Sequence, residues 1–459
     1  AEVTHIPVFH GGAVGYLAYD MVRFFEPTLP APPKDELGLP DMVFMVTDTV
    51  LVFDHRTRRL SIIANVHTDE HANLEAAYEW AKAQILAVMS KLERPLAAKP
   101  LQAFAPLTKE QLPTPTGNTT REEYEGMVLK MKEYIAAGDI FQGVPSQRFE
   151  TAYSGSTIDL FRALRHVNPS PYMFCMDFPQ GFALVGSSPE VHVKCMDGRI
   201  DIRPIAGTRW RGKTQAEDDA LADELLHDPK ERAEHIMLVD LARNDVGRVA
   251  EYGSVRVSDL MVIERYSHVM HIVSNVDGRL RPDKSAYDVM RATFPAGTVS
   301  GSPKVRAMEI INECEKSKRC AYAGAVGYFG FDGNLDSCIA LRTCVVKDGK
   351  AYVQAGAGVV ADFFRLSGQG RQISGGSSGH SVRARESAGD GGGSNAVRGR
   401  FSSEGERADL AVRIAERRDG DDAELHGELS GGLEKGKAAR RRPLISGGRW
   451  AFNPCAARR

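Results

Sequence analysis

The sequence predicts an α+β fold built on antiparallel sheets. Three observations lead there. Short apolar runs separated by turn residues recur along most of the chain, several of them are placed to pair as hairpins, and only a few long segments carry helical spacing, with no regular strand–helix–strand alternation. A chain of 459 residues with 42% hydrophobic and 26% charged residues has material for large cores, and that composition disfavours wholesale disorder or a coiled coil.

Residues 9–66 read as antiparallel sheet, because apolar runs such as MVFMVTDTVLVFDHRTRRLSIIANV flank a polar turn. Residues 69–92 have helical apolar spacing with acids early and a lysine late, which suits the helix dipole. From Arg94 to Thr120, proline, threonine and glycine mark a linker or surface loop. Thr120 then caps a helix that runs to Ala137 and stops at Gly138. Beyond it FALVGSSPEVHVKC and RIDIRPIAGT read as strands, ADELLHDPKERAEHIMLVDLARND as helix, VRVSDLMVIERYSHVMHIVSNVDG as strands and SPKVRAMEIINECE as helix. A last strand set follows in GAVGYFGFDG, SCIALRTCVVKDG and KAYVQAGAGVVAD.

The final stretch differs in kind. From Arg365 onward there are 16 Arg but 2 Lys, with 18 Gly, 11 Ser and no Tyr, and periodicity disappears. Such a segment cannot bury enough apolar surface to offset its ordering entropy, so it is expected to be disordered. Two origins fit: a natural basic low-complexity tail, or a shifted reading frame of GC-rich DNA, which the abrupt end of a well-patterned strand at Asp362 favours.

Charge follows the same division. Residues 1–364 carry 40 Lys+Arg against 48 Asp+Glu, and residues 365–459 carry 18 against 12. The acidic main body gives no electrostatic case for a nucleic-acid partner. No apolar run approaches the ~18 residues of a membrane span, and the first residues lack the order of a secretory signal. The seven cysteines are odd in number without C-x-x-C spacing, as for reduced thiols in the cytoplasm. The chain opens without Met directly into a strand-like run, which suggests a longer parent protein.

Several residues could carry chemistry. Glu231 and Glu234 lie one helical turn apart, where two carboxylates could share one hard cation such as Mg2+, although acids at that spacing more often form a solvated face. PAGTVSGSPK (residues 295–304) joins Gly, Thr and Ser to a helix start at Ser302–Pro303, a setting that favours an anion. QAGAG (354–358) follows a strand and lets backbone amides approach a ligand, but it lacks the third glycine of a dinucleotide fingerprint. Arg342, in the apolar strand CIALRTCVV, has a planar fork suited to a carboxylate; it could equally sit on an exposed strand face. Glu190 and His271 are single titratable groups amid apolar strand sequence, able to serve as general acid or base or simply as satisfied structural groups. No serine or cysteine nucleophile pattern stands out.

Taken together, NPSPYMF, GSSPE, RPIAGT, DPKERAEHIMLVDLARND, VMHIVSNVDG, FPAGTVSGSPK and QAGAG, in this order, resemble the chorismate-utilising enzymes, and most closely the large components of anthranilate synthase, over about residues 10–362. The resemblance implies a two-lobed fold of layered antiparallel sheets with helices outside and a magnesium–chorismate site between the lobes. It divides the chain into 1–118 as the remainder of an N-terminal domain with its linker, 119–362 as the chorismate-binding catalytic domain, and 363–459 as the disordered tail. It implies that Glu234, with Glu231, binds Mg2+. Arg342 and Tyr322 would clamp the enolpyruvyl carboxylate with the amides of Gly356 and Gly358, and Thr208 and Thr298 would border the ring. Glu190 would protonate the departing hydroxyl, with His271 near the reacting carbons.

Two positions speak to the nucleophile. Where aminodeoxychorismate synthases carry an attacking Lys in PIKGT, this chain has Ala206, and where isochorismate and salicylate synthases carry a water-activating Lys, it has Gln142. The resemblance then implies ammonia as the nucleophile, and a lyase reaction whose products would be anthranilate and pyruvate. The alternatives are an enzyme that stops at 2-amino-2-deoxyisochorismate, and a non-catalytic chorismate- or amidotransferase-binding relic. Ammonia would come from a separate glutamine amidotransferase chain, making a hetero-oligomer. The resemblance also places a regulatory tryptophan at Asn168, Pro169, Ser170, Pro171, Tyr172, Met173 and Phe174. The early word that completes that site in the family is absent, so tryptophan control should be incomplete. Family members place two further glutamates three apart after GAGVVAD. Here Gly368 and Arg371 occupy those places, so weak Mg2+ binding and impaired activity are expected.

Overall fold

The computed structural model describes residues 6–96, 114–266 and 269–361, together with the backbone of three short strands at Ser381–Arg383, Arg400–Ser402 and Trp450–Pro454. The rest of the expected disordered tail, with Gly368 and Arg371, lies outside the described residues.

In chain order the elements are β1 (Gly12–Leu17), β2 (Met42–Thr47), β3 (Thr49–Asp54), β4 (Arg59–Ala64), α1 (Leu74–Leu92), β5 (Thr116–Gly117) and α2 (Arg121–Ala137). They continue with β6 (Gln142–Gly143), β7 (Ser146–Ala152), α3 (Thr157–Val167), β8 (Tyr172–Phe178), β9 (Phe182–Ser188), β10 (Val191–Met196), β11 (Arg199–Ile202) and β12 (Ile205–Trp210). Then come α4 (Gln215–His227), α5 (Pro229–Gly247), β13 (Arg256–Arg265), β14 (Val269–Arg279), α6 (Ala286–Thr293), β15 (Gly301–Ser302) and α7 (Lys304–Cys314). β16 (Ala325–Gly330), β17 (Leu335–Ile339), β18 (Thr343–Lys347) and β19 (Lys350–Gly356) complete the main body, and the three outlying strands are β20 to β22.

Local chemistry explains the helix ends. Thr120 and Glu123 form a reciprocal capping box at the start of α2, and Gly138 closes it in the left-handed region, as its sequence predicts. Two boundaries differ from the sequence reading. α1 begins at Leu74, where the Asn73 side chain accepts from Ala76 N–H, and residues 68–70 form a separate tight turn. The long helix expected from ADELL to ARND breaks at Asp228, whose carboxylate caps α5 just before Pro229, so two helices replace one.

Two sheets organise the molecule. One has nine strands in the order β12–β14–β11–β10–β17–β16–β1–β2, with β13 also on β14; the other runs β22–β8–β9–β18–β19–β7–β5. The pairs along both are antiparallel, as expected from the hairpin-forming strand runs. Between the sheets lie Tyr16, Tyr172, Phe174, Leu184, Val326 and Tyr328. α5 and α6 cover the far side of the larger sheet, with Val239, Val246 and Val289 against Val193 and Ile200. α3 covers the smaller sheet, with Leu160 and Leu164 against Met173, Cys175 and Val185. The result is a layered α–β–β–α arrangement. Strand period two explains β8: Tyr172 and Phe174 face inward while Met173 and Cys175 face α3. Burying each such side chain contributes ~2 kcal/mol of transfer free energy. No helix among the described residues is long and apolar enough to cross a membrane.

Candidate active site

The chain passes between the two sheets at two neighbouring crossings, and a predicted site residue sits at each. β9 ends at Ser188 and β10 begins at Val191, which places Glu190 at the first. β17 ends at Ile339 and β18 begins at Thr343, which places Arg342 at the second. Arg342 is therefore not inside a continuous strand, as its apolar neighbours suggested. It lies in a bend with φ of 50°, and the strand-like run is divided between two sheets. The crossings are laced together: Ile339 N–H donates to Glu190 O at 3.0 Å, Ser187 N–H donates to Arg342 O at 3.1 Å, and the Ser188 hydroxyl donates to Ile339 O at 2.6 Å.

A second group sits where β12 meets β14. A register shift between Ala206 and Thr208 puts Gly207 at φ of 66° and brings Thr208 opposite His271. Thr208 Oγ1 is then 3.0 Å from His271 Nδ1, and Gly207 O is 3.1 Å from the same nitrogen. Gly207 also admits the Glu231 side chain, because a Cβ there would lie 3.2 Å from Glu231 Oε2. Tyr266 meets the His271 ring edge-on at 5.5 Å and its hydroxyl donates to Glu264 Oε2 at 2.9 Å; burial, followed by the Glu264 charge, pushes that hydroxyl up.

Glu231 and Glu234 stand on α5. Glu234 is 7% exposed, and burial pushes the Glu231 carboxyl up, opposed by the Arg209 guanidinium. Arg209 Nη1 donates to Glu231 Oε1 at 3.3 Å while its other nitrogens hold Glu224 and Asp228. That partner was missed in the sequence, although it directly follows the PIAGT word. Two hard-oxygen donors one turn apart suit Mg2+, but among the described residues no group of three or more His, Cys, Asp or Glu could hold a metal.

Two cavities flank α5. The larger, about 1220 Å3, is lined by Glu234 alone of the predicted residues, together with Lys304 and Arg248. The smaller, about 30 Å3, has room for a water and is lined by Glu190, Arg203 and Thr298. Leu241 and Asp245 border both. Thr298 is 7% exposed and its Oγ1 has no hydrogen-bond partner among the described residues.

On the other side, Tyr322 is buried in the turn before β16, and Gly356 closes β19 opposite Ser146. A Cβ on Gly356 would lie 2.8 Å from both Tyr322 Oη and Pro145 O, so glycine is required by space. Gly358 lies two residues on, beside Val359, which bridges Gly143. The helix start at Ser302–Pro303 forms as expected, with Pro303 as the residue before α7. Of the segment Asn168–Phe174, Tyr172, Met173 and Phe174 are core residues, and the Tyr172 hydroxyl donates to Asp336 at 2.7 Å, whereas Asn168, Pro169, Ser170 and Pro171 are at least partly accessible.

Residues 2–362 match the model of the chorismate binding enzymes. Anthranilate synthase component 1 of Acetivibrio thermocellus is 50% identical over 363 residues, covering 79% of this chain and 73% of that protein. The component 1 of Aquifex aeolicus (strain VF5) is 51% identical over 358 residues, 78% of this chain and 71% of that one. Among solved structures, anthranilate synthase component I from Streptococcus pneumoniae TIGR4 aligns with a TM-score of 0.70 and 40% identity, covering 79% of each chain. The menaquinone-specific isochorismate synthase of Escherichia coli shares the fold, with a TM-score of 0.57 and 18% identity over 76% of this chain and 73% of that one. The layered antiparallel fold and the half-identical relatives agree, and this chain belongs to the chorismate binding enzyme family.

Proposed function

We propose that this chain is the chorismate-converting component of an anthranilate synthase, a lyase turning chorismate and ammonia into anthranilate, pyruvate and water. The observation that carries this reading is Ala206, 1% exposed in β12 next to the Thr208–His271 group. The position that would deliver an internal amine to the ring in aminodeoxychorismate synthases holds a methyl group, and Gln142 in β6, likewise buried, replaces the water-activating lysine of isochorismate synthases. The incoming amine must then be free ammonia. The half-identical component 1 proteins support the same reading.

In this reading Arg342, Tyr322 and the amides of Gly356 and Gly358 bind the enolpyruvyl carboxylate, and Thr208 and Thr298 orient the ring. Ammonia forms the C2–N bond as the C4 hydroxyl departs, taking its proton from Glu190 and leaving as water. Loss of the C2 proton and cleavage of the enol ether then release anthranilate, with that proton's equivalent ending on the methyl group of pyruvate; this reading assigns that transfer to His271. Glu231 and Glu234 would hold Mg2+, which when bound supplies positive charge to the ring carboxylate. Ammonia would be delivered in the cytoplasm by a separate glutamine amidotransferase. Activity is expected to be low, because only these two carboxylates are available among the described residues. Tryptophan inhibition through Asn168–Phe174 is expected to be incomplete.

The test is to incubate the chain with chorismate, ammonium and excess Mg2+, following anthranilate by fluorescence and pyruvate by a coupled dehydrogenase. Both products in equal amounts support the reading. An amine-containing ring product without pyruvate would mean that turnover stops at aminodeoxyisochorismate, and untouched chorismate would mean a binding protein without turnover.

A further inference from the structure

Arg319 lies behind the site rather than in it. Its side chain is 1% exposed, yet every edge of its fork is committed. Nε donates to Glu315 Oε2 at 2.9 Å, Nη2 to Glu315 Oε1 at 2.6 Å and also to Val144 O, and Nη1 to Val299 O at 2.8 Å. The Tyr19 and Tyr322 rings lie 4.5 and 5.8 Å from the guanidinium. Glu315 extends the hold: its Oε1 accepts from Ser146 N–H at 2.8 Å and from the Ser146 hydroxyl at 2.9 Å. Ser146 faces Gly356 across β7 and β19, and Gly356 abuts the Tyr322 hydroxyl.

One buried ion pair therefore fastens three separate pieces: the loop carrying Thr298, the Tyr322 ring, and the strand end carrying Gly356. A buried ion pair is weak evidence for stability, because well-packed apolar side chains of similar volume often serve as well. What apolar packing lacks is direction. The planar fork fixes the angle of each partner, which an ammonium cannot do.

We propose that Arg319, with Glu315, is a positioning residue that sets Tyr322, Gly356 and Thr298 in the mutual register needed to bind chorismate. The inference rests on the functional reading above. It concerns residues that touch no substrate, so its signature is lost affinity in a folded protein.

The full chain serves for the test, with chorismate as the probe in the presence of Mg2+ and binding read by titration calorimetry. Arg319→Met combined with Glu315→Leu removes the pair without leaving a buried charge, so the variant should stay folded at the assay temperature, melting lower because Val144 O, Val299 O and Ser146 N–H lose their partner. Chorismate affinity should fall about tenfold or more. Ser146→Ala, which leaves the ion pair intact and removes one hydrogen bond to it, should weaken binding about threefold. Should the double variant not fold, Ser146→Ala carries the test: an unchanged affinity overturns the inference and a weakened one supports it. A folded double variant that binds chorismate like the unmodified chain overturns the inference alone. If the unmodified chain does not bind chorismate, the functional reading fails and the inference falls with it.

Discussion

Thr208 Oγ1 and His271 Nδ1 face each other at 3.0 Å across β12 and β14, because the irregularity at Gly207 resets the strand register between them. Gly207 O, 3.1 Å from the same nitrogen, can only accept, so the neutral ring carries its proton on Nδ1 and keeps its lone pair on Nε2. Position and tautomer are thus set by one bulge.

Thr208→Val keeps the shape of that side chain and removes its hydroxyl. With the proposed activity, it should lower kcat about tenfold, equivalent to ~1.4 kcal/mol, with KM changed less. Steady-state anthranilate fluorescence checks this. A variant with unaltered kcat would deny His271 a part in the reaction.

His192 gives stability a defined pH dependence. Burial is the chief cause that pushes its imidazole down from 6.5 to about 3, with the nearby Lys304 charge adding to it. Between those values the unfolded chain binds a proton that the folded chain does not, so stability is lost as pH falls through that window. Asp20 works in the opposite sense: burial raises it from 3.8 to about 6, so the folded chain holds the extra proton and gains stability as pH falls between those values. His192→Gln should remove the loss and unmask the gain, which urea midpoints measured on either side of pH 6.5 would reveal. A persistent acid loss of the original size would assign it to other groups.

Lys304 and Asp245 form a second buried ion pair, 2.7 Å long, and Lys304 also donates to Thr293 O at 3.0 Å. The pair ties the start of α7 to α5 and α6. Burial raises the Asp245 carboxyl, and Lys304 opposes that rise. Lys304→Met leaves the carboxylate buried without its cation and should cost ~3–5 kcal/mol, read by chemical denaturation. Adding Asp245→Leu should recover more than half of the loss. If the second change deepens the loss, the pair contributes net stability.

Features set by neighbours in sequence were legible before the structure. The Thr120 cap, the Gly138 stop and the alternation in β8 depend on local geometry, and each appears where its residues placed it. The break at Asp228–Pro229 was legible in principle, since Asp followed by Pro is a helix-start signal, but the apolar periodicity on either side concealed it. Arg342 was misplaced for a different reason: CIALRTCVV is one apolar run in sequence and two strands of different sheets in space. Glu315 and Arg319 sit in ECEKSKR, which reads as a solvated charge run; only the packing of the 315–322 turn beneath Tyr19 makes them core residues. For the candidate site, the sequence offered the residues proposed to act, whereas the side chains that pack behind them, such as Arg319 and Glu315, became visible only in the fold.

Arg209 and the proposed metal would compete for the same carboxylate. Burial raises the Glu231 carboxyl, and the Arg209 guanidinium 3.3 Å away partly offsets that cost in the structure as it stands. A dication bound by Glu231 and Glu234 would offset the same cost and would meet repulsion from Arg209. Glu231→Gln should therefore raise the Mg2+ concentration needed for half-maximal turnover about tenfold or more. Arg209→Ala should shift that concentration the other way, because it removes a competing cation and no metal ligand. Lowering the pH should raise the requirement for the unmodified chain, since a carboxyl displaced upward is protonated sooner and a protonated oxygen is a poor ligand. Opposite shifts from the two substitutions identify Glu231 as a ligand held in reserve by Arg209. Equal, parallel losses in both would instead make the pair a structural link between α5 and β12, with no place for metal at Glu231.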